Sequence, residues 1–209
     1  MRQTRRQFLA TTAATAGTVT ILPFAALAVG SLHAEESIRL ASYPEISPDG
    51  NTILFSWKGD IWQAAAAGGE ATRVTTHPAA DFAPKFTPDG KSICFGSTRE
   101  GGYQIFIMPA TGGAARQITH HSEGSFLEDV SADGKSLLVR ALRDHTGRKP
   151  YRLYRVAIDG KSAEKMIFPA YGENGRFSAD GKSVIFTREG APLYRKGYHG
   201  TQASQVWTW

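Results

Sequence analysis

From residue 43 onward the chain reads as short apolar runs cut by Gly, Pro and Asp punctuation. The first stretch predicts four β-strands, over residues 43–47, 52–57, 60–65 and 71–75. They are separated by Pro48-Asp49-Gly50, Lys58-Gly59 and Gly68-Gly69, each a turn signal with a steric cause. A second stretch repeats the order, with strands predicted over 83–87, 92–97, 103–108 and 115–119 and turns at Gly101-Gly102 and Gly112-Gly113. The third repeat, residues 129–168, is looser. A basic, polar loop over 142–150 splits its second strand from a third at Leu153-Tyr154-Arg155-Val156, and Asp159-Gly160 then turns the chain. The fourth begins at Gly175-Arg176-Phe177-Ser178, runs through Val184-Ile185-Phe186, takes an insertion over 188–204 and resumes at Gln205-Val206-Trp207.

The second strand of each repeat is apolar on both sides. One face carries Ile53 and Phe55, Ile93 and Phe95, Leu137 and Val139, or Val184 and Phe186; the other carries Leu54, Cys94, Leu138 and Ile185. A sandwich strand would turn polar residues to solvent on one side, so two apolar faces predict small sheets pressed between neighbouring sheets. Between the first and second strands stands the same corner four times: Ser47-Pro48-Asp49-Gly50, Thr87-Pro88-Asp89-Gly90, Ser131-Ala132-Asp133-Gly134 and Ser178-Ala179-Asp180-Gly181. Asp bonds nearby backbone in such a turn, and Gly supplies the positive φ that returns the chain to the ladder. The aspartates are 40, 44 and 47 residues apart, the period of a propeller blade. The predicted fold is all-β, a partial β-propeller of about four blades over 38–78, 79–122, 123–169 and 170–209. The last blade is incomplete, because no fourth strand follows Trp207 and its sheet edge would stay open. Two expectations follow: an N-terminal fragment of a longer propeller protein, or a ring closed by Ile38-Arg39-Leu40 as the missing strand.

Composition adds little to the fold but limits the partners. The chain has 209 residues, with 41% hydrophobic and 21% charged, an ordinary globular balance. Its net charge of +5 includes Arg2, Arg5 and Arg6 in the first 34 residues. Without that segment 21 basic residues face 19 acidic ones, and a charge so small gives no footprint for nucleic acid. Residues 1–34 are predicted to be a targeting segment rather than part of the domain at 35–209. Arg5-Arg6-Gln7-Phe8-Leu9 followed by an uncharged Ala/Thr-rich stretch resembles a twin-arginine export signal, with Arg5, Arg6, Phe8 and Leu9 as its marks. The resemblance implies an exported, periplasmic protein, with a membrane contact only if the segment is retained as an anchor.

Catalytic motifs are missing from the sequence: no Gly-x-Ser-x-Gly elbow, no His-Glu-x-x-His, no phosphate loop and no dinucleotide fingerprint. No catalytic residue, metal or cofactor is expected. His120-His121 resembles a metal pair, but His121 precedes Asp133 by the same 12 residues that separate His77 from Asp89, so it is read as part of the repeat. Cys94, the single cysteine, fills an apolar strand position and is read as a core residue. The insertion Tyr194-Arg195-Lys196-Gly197-Tyr198-His199-Gly200 interleaves aromatics with cations. Tyr194, Arg195, Lys196, Tyr198 and His199 are candidate contacts for a peptide or acidic partner, with covering a blade edge or packing between domains as the other reading.

Thr87-Pro88-Asp89-Gly90-Lys91, Ile93-Cys94-Phe95, Thr98-Arg99-Glu100-Gly101, Ile105-Phe106 and Gly112-Gly113 together resemble a TolB-type propeller repeat. The order Tyr43-Pro44-Glu45-Ile46-Ser47, Gly59-Asp60-Ile61-Trp62, then Lys196-Gly197-Tyr198-His199-Gly200 before Val206-Trp207 is similar to the N-terminal propeller of tricorn-type serine proteases, over roughly residues 40–209. That family's insertion typically reads Trp-Lys-x-Tyr-Arg-Gly-Gly; here Arg195, His199 and Thr201 depart from it. The resemblance implies a non-catalytic part of an exported protease that admits or holds peptide substrate, docks downstream protease domains and belongs to a full-length protein able to oligomerise. No family catalytic residue maps onto this chain. A self-contained TolB-like periplasmic protein-binding propeller is the alternative, and the propeller of a dipeptidyl-peptidase-like enzyme a third.

Overall fold

The computed structural model describes residues 8–10, 36–143, 151–188 and 205–209, and every regular element among them is a β-strand. In the first sheet β3 (Ser42–Ile46), β4 (Thr52–Trp57), β5 (Asp60–Ala65) and β6 (Gly69–Arg73) form an antiparallel meander. Two short segments extend its outer edge, β1 (Phe8–Ala10) parallel to β6 and β2 (Glu36–Ser37) antiparallel to β1. The second sheet holds β7 (Asp81–Phe86), β8 (Ser92–Ser97), β9 (Gln104–Pro109) and β10 (Arg116–Gln117). The third holds β11 (Phe126–Val130), β12 (Ser136–Ala141), β13 (Arg152–Ala157) and β14 (Lys165–Met166), and the fourth β15 (Glu173–Phe177), β16 (Val184–Arg188) and β17 (Gln205–Thr208). The innermost strands β3, β7, β11 and β15 adjoin one another in that order, which gives the four-blade propeller arrangement.

Each Asp-Gly corner closes the same way. The hydroxyls of Ser47, Thr87, Ser131 and Ser178 donate to Oδ1 of Asp49, Asp89, Asp133 and Asp180 at 2.5, 2.6, 2.6 and 2.6 Å. The same oxygens accept the backbone N–H two residues on, at 3.0–3.1 Å. Gly50, Gly90, Gly134 and Gly181 take φ of 76°, 69°, 68° and 68°, where a side chain would strain the turn. The hydroxyl bond, with help from the backbone amide, holds all four carboxyl groups below the usual aspartate range. A lowered folded pKa stabilises the fold above the unfolded carboxyl pKa of about 3.9, and that stabilisation is lost as pH falls through the folded values. The thermal midpoint of the protein should therefore fall between about pH 4 and pH 2. The Asp133→Asn variant should fall less steeply over the same window in a pH series of melting curves, and parallel curves would remove the corners from the account.

The blades stack face to face as the apolar pattern requires. Leu54 and Ile61 of the first blade meet Ile93, Phe95, Phe106 and Met108 of the second. Cys94 and Ile105 of the second meet Leu137, Val139 and Val156 of the third, and Leu138 and Leu153 of the third meet Val184 and Phe186 of the fourth. Each such burial is worth about 1.5–3 kcal/mol, so a blade is held mainly by its neighbours. Cys94 is one of these core residues, and burial pushes its thiol up to about 12. The other end of the stack differs from the sequence expectation. Ile185 occupies the face that Leu54, Cys94 and Leu138 occupy in earlier blades, yet it is 45% exposed, because no sheet among the described residues lies against it.

Two further differences have local causes. Strands expected over 71–75 and 115–119 end early, at Arg73 and Gln117. Thr75 and Thr119 accept the N–H of Ile61 and Ile105 with their side-chain Oγ1, each at 2.9 Å, so a hydroxyl replaces the backbone acceptor and interrupts the ladder. Residues 38–40 do not join the fourth sheet. Ile38 packs on Phe55 and Trp57, and the Arg39 carbonyl accepts Trp57 Nε1 at 3.0 Å, which fixes this segment against the first blade.

Candidate functional site

Every innermost strand carries a β-bulge at one station, between Ser42 and Glu45, Phe82 and Lys85, Leu127 and Asp129, and Glu173 and Arg176. Tyr43, Ala83 and Asn174 sit there at φ of 51°, 50° and 54°, a conformation costing about 1–3 kcal/mol for a residue with a side chain. Pro44 and Pro84 follow at the first two stations and remove a backbone donor. Bulges and prolines are the usual protection of a strand edge against another strand, and here they protect the edge facing the propeller axis. One residue further along, Glu45, Lys85, Asp129 and Arg176 alternate in charge. Lys85 Nζ lies 2.6 Å from Glu45 Oε2 and ties the first blade to the second; Asp129 Oδ2 accepts the Phe177 N–H at 2.9 Å and ties the third to the fourth.

The end of the blades away from the Asp-Gly corners carries a run of rings packed edge-to-face or tilted on one another. Phe82, Tyr103, Phe126 and Tyr151 follow one another at centroid distances of 5.5, 4.7 and 5.9 Å. Phe82 lies on Gly96, where any Cβ would come within 2.3 Å of its ring. Arg140 is held between the last two rings, 4.8 Å from Phe126 and 4.4 Å from Tyr151. Its Nε lies 2.6 Å from Glu128 Oε1, while Glu173 stands at 3.8 Å. Burial pushes the Glu128 carboxyl above the usual range, and Arg140 and Arg176 offset part of that.

A second set of cations at this end was not among the candidate site residues read from the sequence. Arg99, Arg143 and Arg188 lie 4.8, 4.2 and 5.0 Å above the rings of Phe106, Tyr154 and Trp207. The signal was present as an arginine followed by an acidic residue at the end of the second strand in three of the four repeats: Arg99-Glu100, Arg143-Asp144 and Arg188-Glu189. The candidate contacts Tyr194, Arg195, Lys196, Tyr198 and His199, like Arg5 and Arg6 of the leader, lie outside the described residues. The strands that bracket the insertion, β16 and β17, end and begin at the same end of the blades as the ring run.

At the opposite end a cleft of about 370 Å³ opens between the first two blades, with Asp49, Asp89, Gln63 and Phe86 among its walls. The Oδ1 atoms of both carboxylates are committed to their own corners, which fits the structural role read for the turn aspartates. His77 and His121 are likewise used alike, each Nδ1 accepting the N–H two residues on at 3.1 Å. Among the described residues no group of three or more His, Cys, Asp or Glu is placed to hold a metal ion, and no helix is long and apolar enough to cross a membrane.

The profile of the tricorn protease N-terminal beta propeller domain matches residues 38–209. The chain belongs to this family. A tricorn-type propeller is thus the setting for the axial charges, the ring run and the stacked arginines. Among curated relatives, tricorn protease homolog 1 of Streptomyces coelicolor is 32% identical over 62 residues, 30% of this chain and 6% of that protein. The Tol-Pal system protein TolB of Bordetella pertussis is 49% identical over 43 residues, 21% of this chain and 10% of that protein. Among solved structures, the putative TolB from Agrobacterium tumefaciens superposes with a TM-score of 0.67 at 25% identity, covering 83% of this chain and 59% of that one. The tricorn protease structure gives 0.63 at 20% identity, covering 81% and 17%, a likeness of fold. The chain therefore spans a tenth or less of these curated relatives.

Proposed function

We propose that this chain is the non-catalytic propeller portion of an exported tricorn-like protease, which admits or holds peptide substrate and docks the domains that cut it. The family match over residues 38–209 carries this reading. The axis supports it: bulged, proline-marked inner strands with paired charges disfavour strand addition, so a peptide would pass along them rather than be incorporated. In this proposal residues 1–34 are a twin-arginine leader and 35–209 the propeller. Tyr194, Arg195, Lys196, Tyr198 and His199 are the residues proposed to contact the peptide.

The test is fluorescence anisotropy of the purified chain with labelled, unstructured peptides about ten residues long. Saturable binding without hydrolysis is expected. Tyr194→Ala with Tyr198→Ala should weaken it about tenfold, or ~1.4 kcal/mol, at an unchanged melting temperature. A folded chain that binds none of the peptides would overturn the proposal. A second reading, a TolB-like protein-binding propeller, is favoured by the 49% identity to TolB over 43 residues. Capture of an envelope lipoprotein from a periplasmic extract, without peptide binding, would favour it.

A further inference from the structure

The outer edges of the blades are not guarded alike. In the second and third blades the outermost strands, β10 and β14, have two residues each, too short to template another strand. In the first blade β6 runs over five residues, Gly69–Arg73, with no proline and no shift in its register against β5. Such an edge leaves a row of backbone donors and acceptors free to pair. The chain itself adds strands there. β1 lies parallel to β6, with Phe8 opposite Gly69, Leu9 opposite Glu70 and Ala10 opposite Ala71. β2 pairs with β1 and not with β6, Leu9 lying opposite Ser37 and Ala10 opposite Glu36. In the order β2-β1-β6 the segment 8–10 is therefore a middle strand, paired on both sides, and residues 36–37 reach the sheet only through it.

Phe8 and Leu9 are also two of the marks by which residues 1–34 read as a leader, and Phe8-Leu9-Ala10 holds no charge, glycine or proline to oppose pairing. We propose that the outer edge of the first blade is a strand-addition site occupied by residues 8–10 of the chain's own leader, so that the folded propeller withholds Phe8 and Leu9 from a protein that would read them. The withholding, though not the strand addition, rests on the leader reading. Main-chain hydrogen bonds supply the grip, as in other cases of strand addition. Three residues form few such bonds against the entropy of ordering them, so the strap opens readily and holds the leader without locking it.

In the unaltered full chain, hydrogen exchange at residues 8–10 should be about tenfold slower than in an unstructured peptide of the same sequence. Exchange at the unstructured rate would overturn the proposal. Leu9→Cys with Glu70→Cys puts thiols on partnered residues, which oxidised glutathione should join in most molecules. Cys94 is fully buried and does not compete. Leu9→Cys with Thr72→Cys, two residues and roughly 7 Å further along β6, should crosslink about tenfold more slowly. Equal or reversed rates would also overturn the strand addition, and if the double variants do not fold, the exchange measurement decides alone. In transport into inverted inner-membrane vesicles, the reduced Leu9→Cys, Glu70→Cys chain should enter and the crosslinked chain should stay outside. Entry of both would overturn the withholding of the leader. Entry of neither, with the crosslink formed, would remove the leader reading and leave the strand addition supported.

Discussion

Replacing Asp81 with alanine should destabilise the protein by about 3–5 kcal/mol in urea unfolding, among the largest effects of any single polar substitution. The Asp81 side chain is fully buried, and both its oxygens accept Arg99 Nη2 at 2.9 Å. Arg99 is itself largely buried against Phe95 and Phe106. Removing the carboxylate leaves a guanidinium that can neither lose its proton nor reach water without giving up those rings. The cost therefore comes from the stranded charge more than from the lost attraction. The double variant Asp81→Ala with Arg99→Met should recover a good part of it, giving a coupling energy of at least ~2 kcal/mol in the four-member cycle. Single variants within ~1 kcal/mol of the parent would show that water reaches the pair and would remove it as a tie within the second blade.

Leu54→Ala and Ile185→Ala should differ sharply although the two residues hold equivalent positions in the repeat. Leu54 is fully buried between the first and second blades, among Ile61, Ile93, Phe95 and Phe106, and its truncation should cost about 2–5 kcal/mol. Ile185 is 45% exposed on the fourth blade and Val206 beside it 74%, so the same kind of truncation there should cost less than about 1 kcal/mol. Urea midpoints of the two variants read the difference directly. Equal losses would mean that the outer face of the fourth blade is covered in solution.

The contrast between these residues marks how far the sequence could be read. The Asp-Gly corners were legible because a turn is decided within a few residues: Pro or Ala, then Asp, then a Gly free to take positive φ. The second strands of the first two repeats were legible in full, 52–57 and 92–97 matching β4 and β8 residue for residue, because both faces are apolar and the corners fix where they begin. The fourth strands were overrun, since nothing in the local pattern says that the hydroxyls of Thr75 and Thr119 will take a ladder amide. The candidate site was the least legible part. The insertion at 194–199 attracted notice through its composition, whereas the Arg-acidic pair that carries the stacked arginines was noted only at Arg99-Glu100 and only as part of a repeat, and the ring run is scattered over 70 residues of sequence, from Phe82 to Tyr151.

The sequence by itself determined the repeat, the strand faces and the corners, because each depends on side-chain period and backbone sterics among near neighbours. Only the tertiary structure decided which charges meet and which faces stay open. Glu45 finds Lys85 40 residues away, and Asp129 finds the Phe177 amide 48 residues away. Such partners are set by how one blade is rotated against the next. That rotation comes from packing summed over whole sheets, so no local stretch of the chain encodes it.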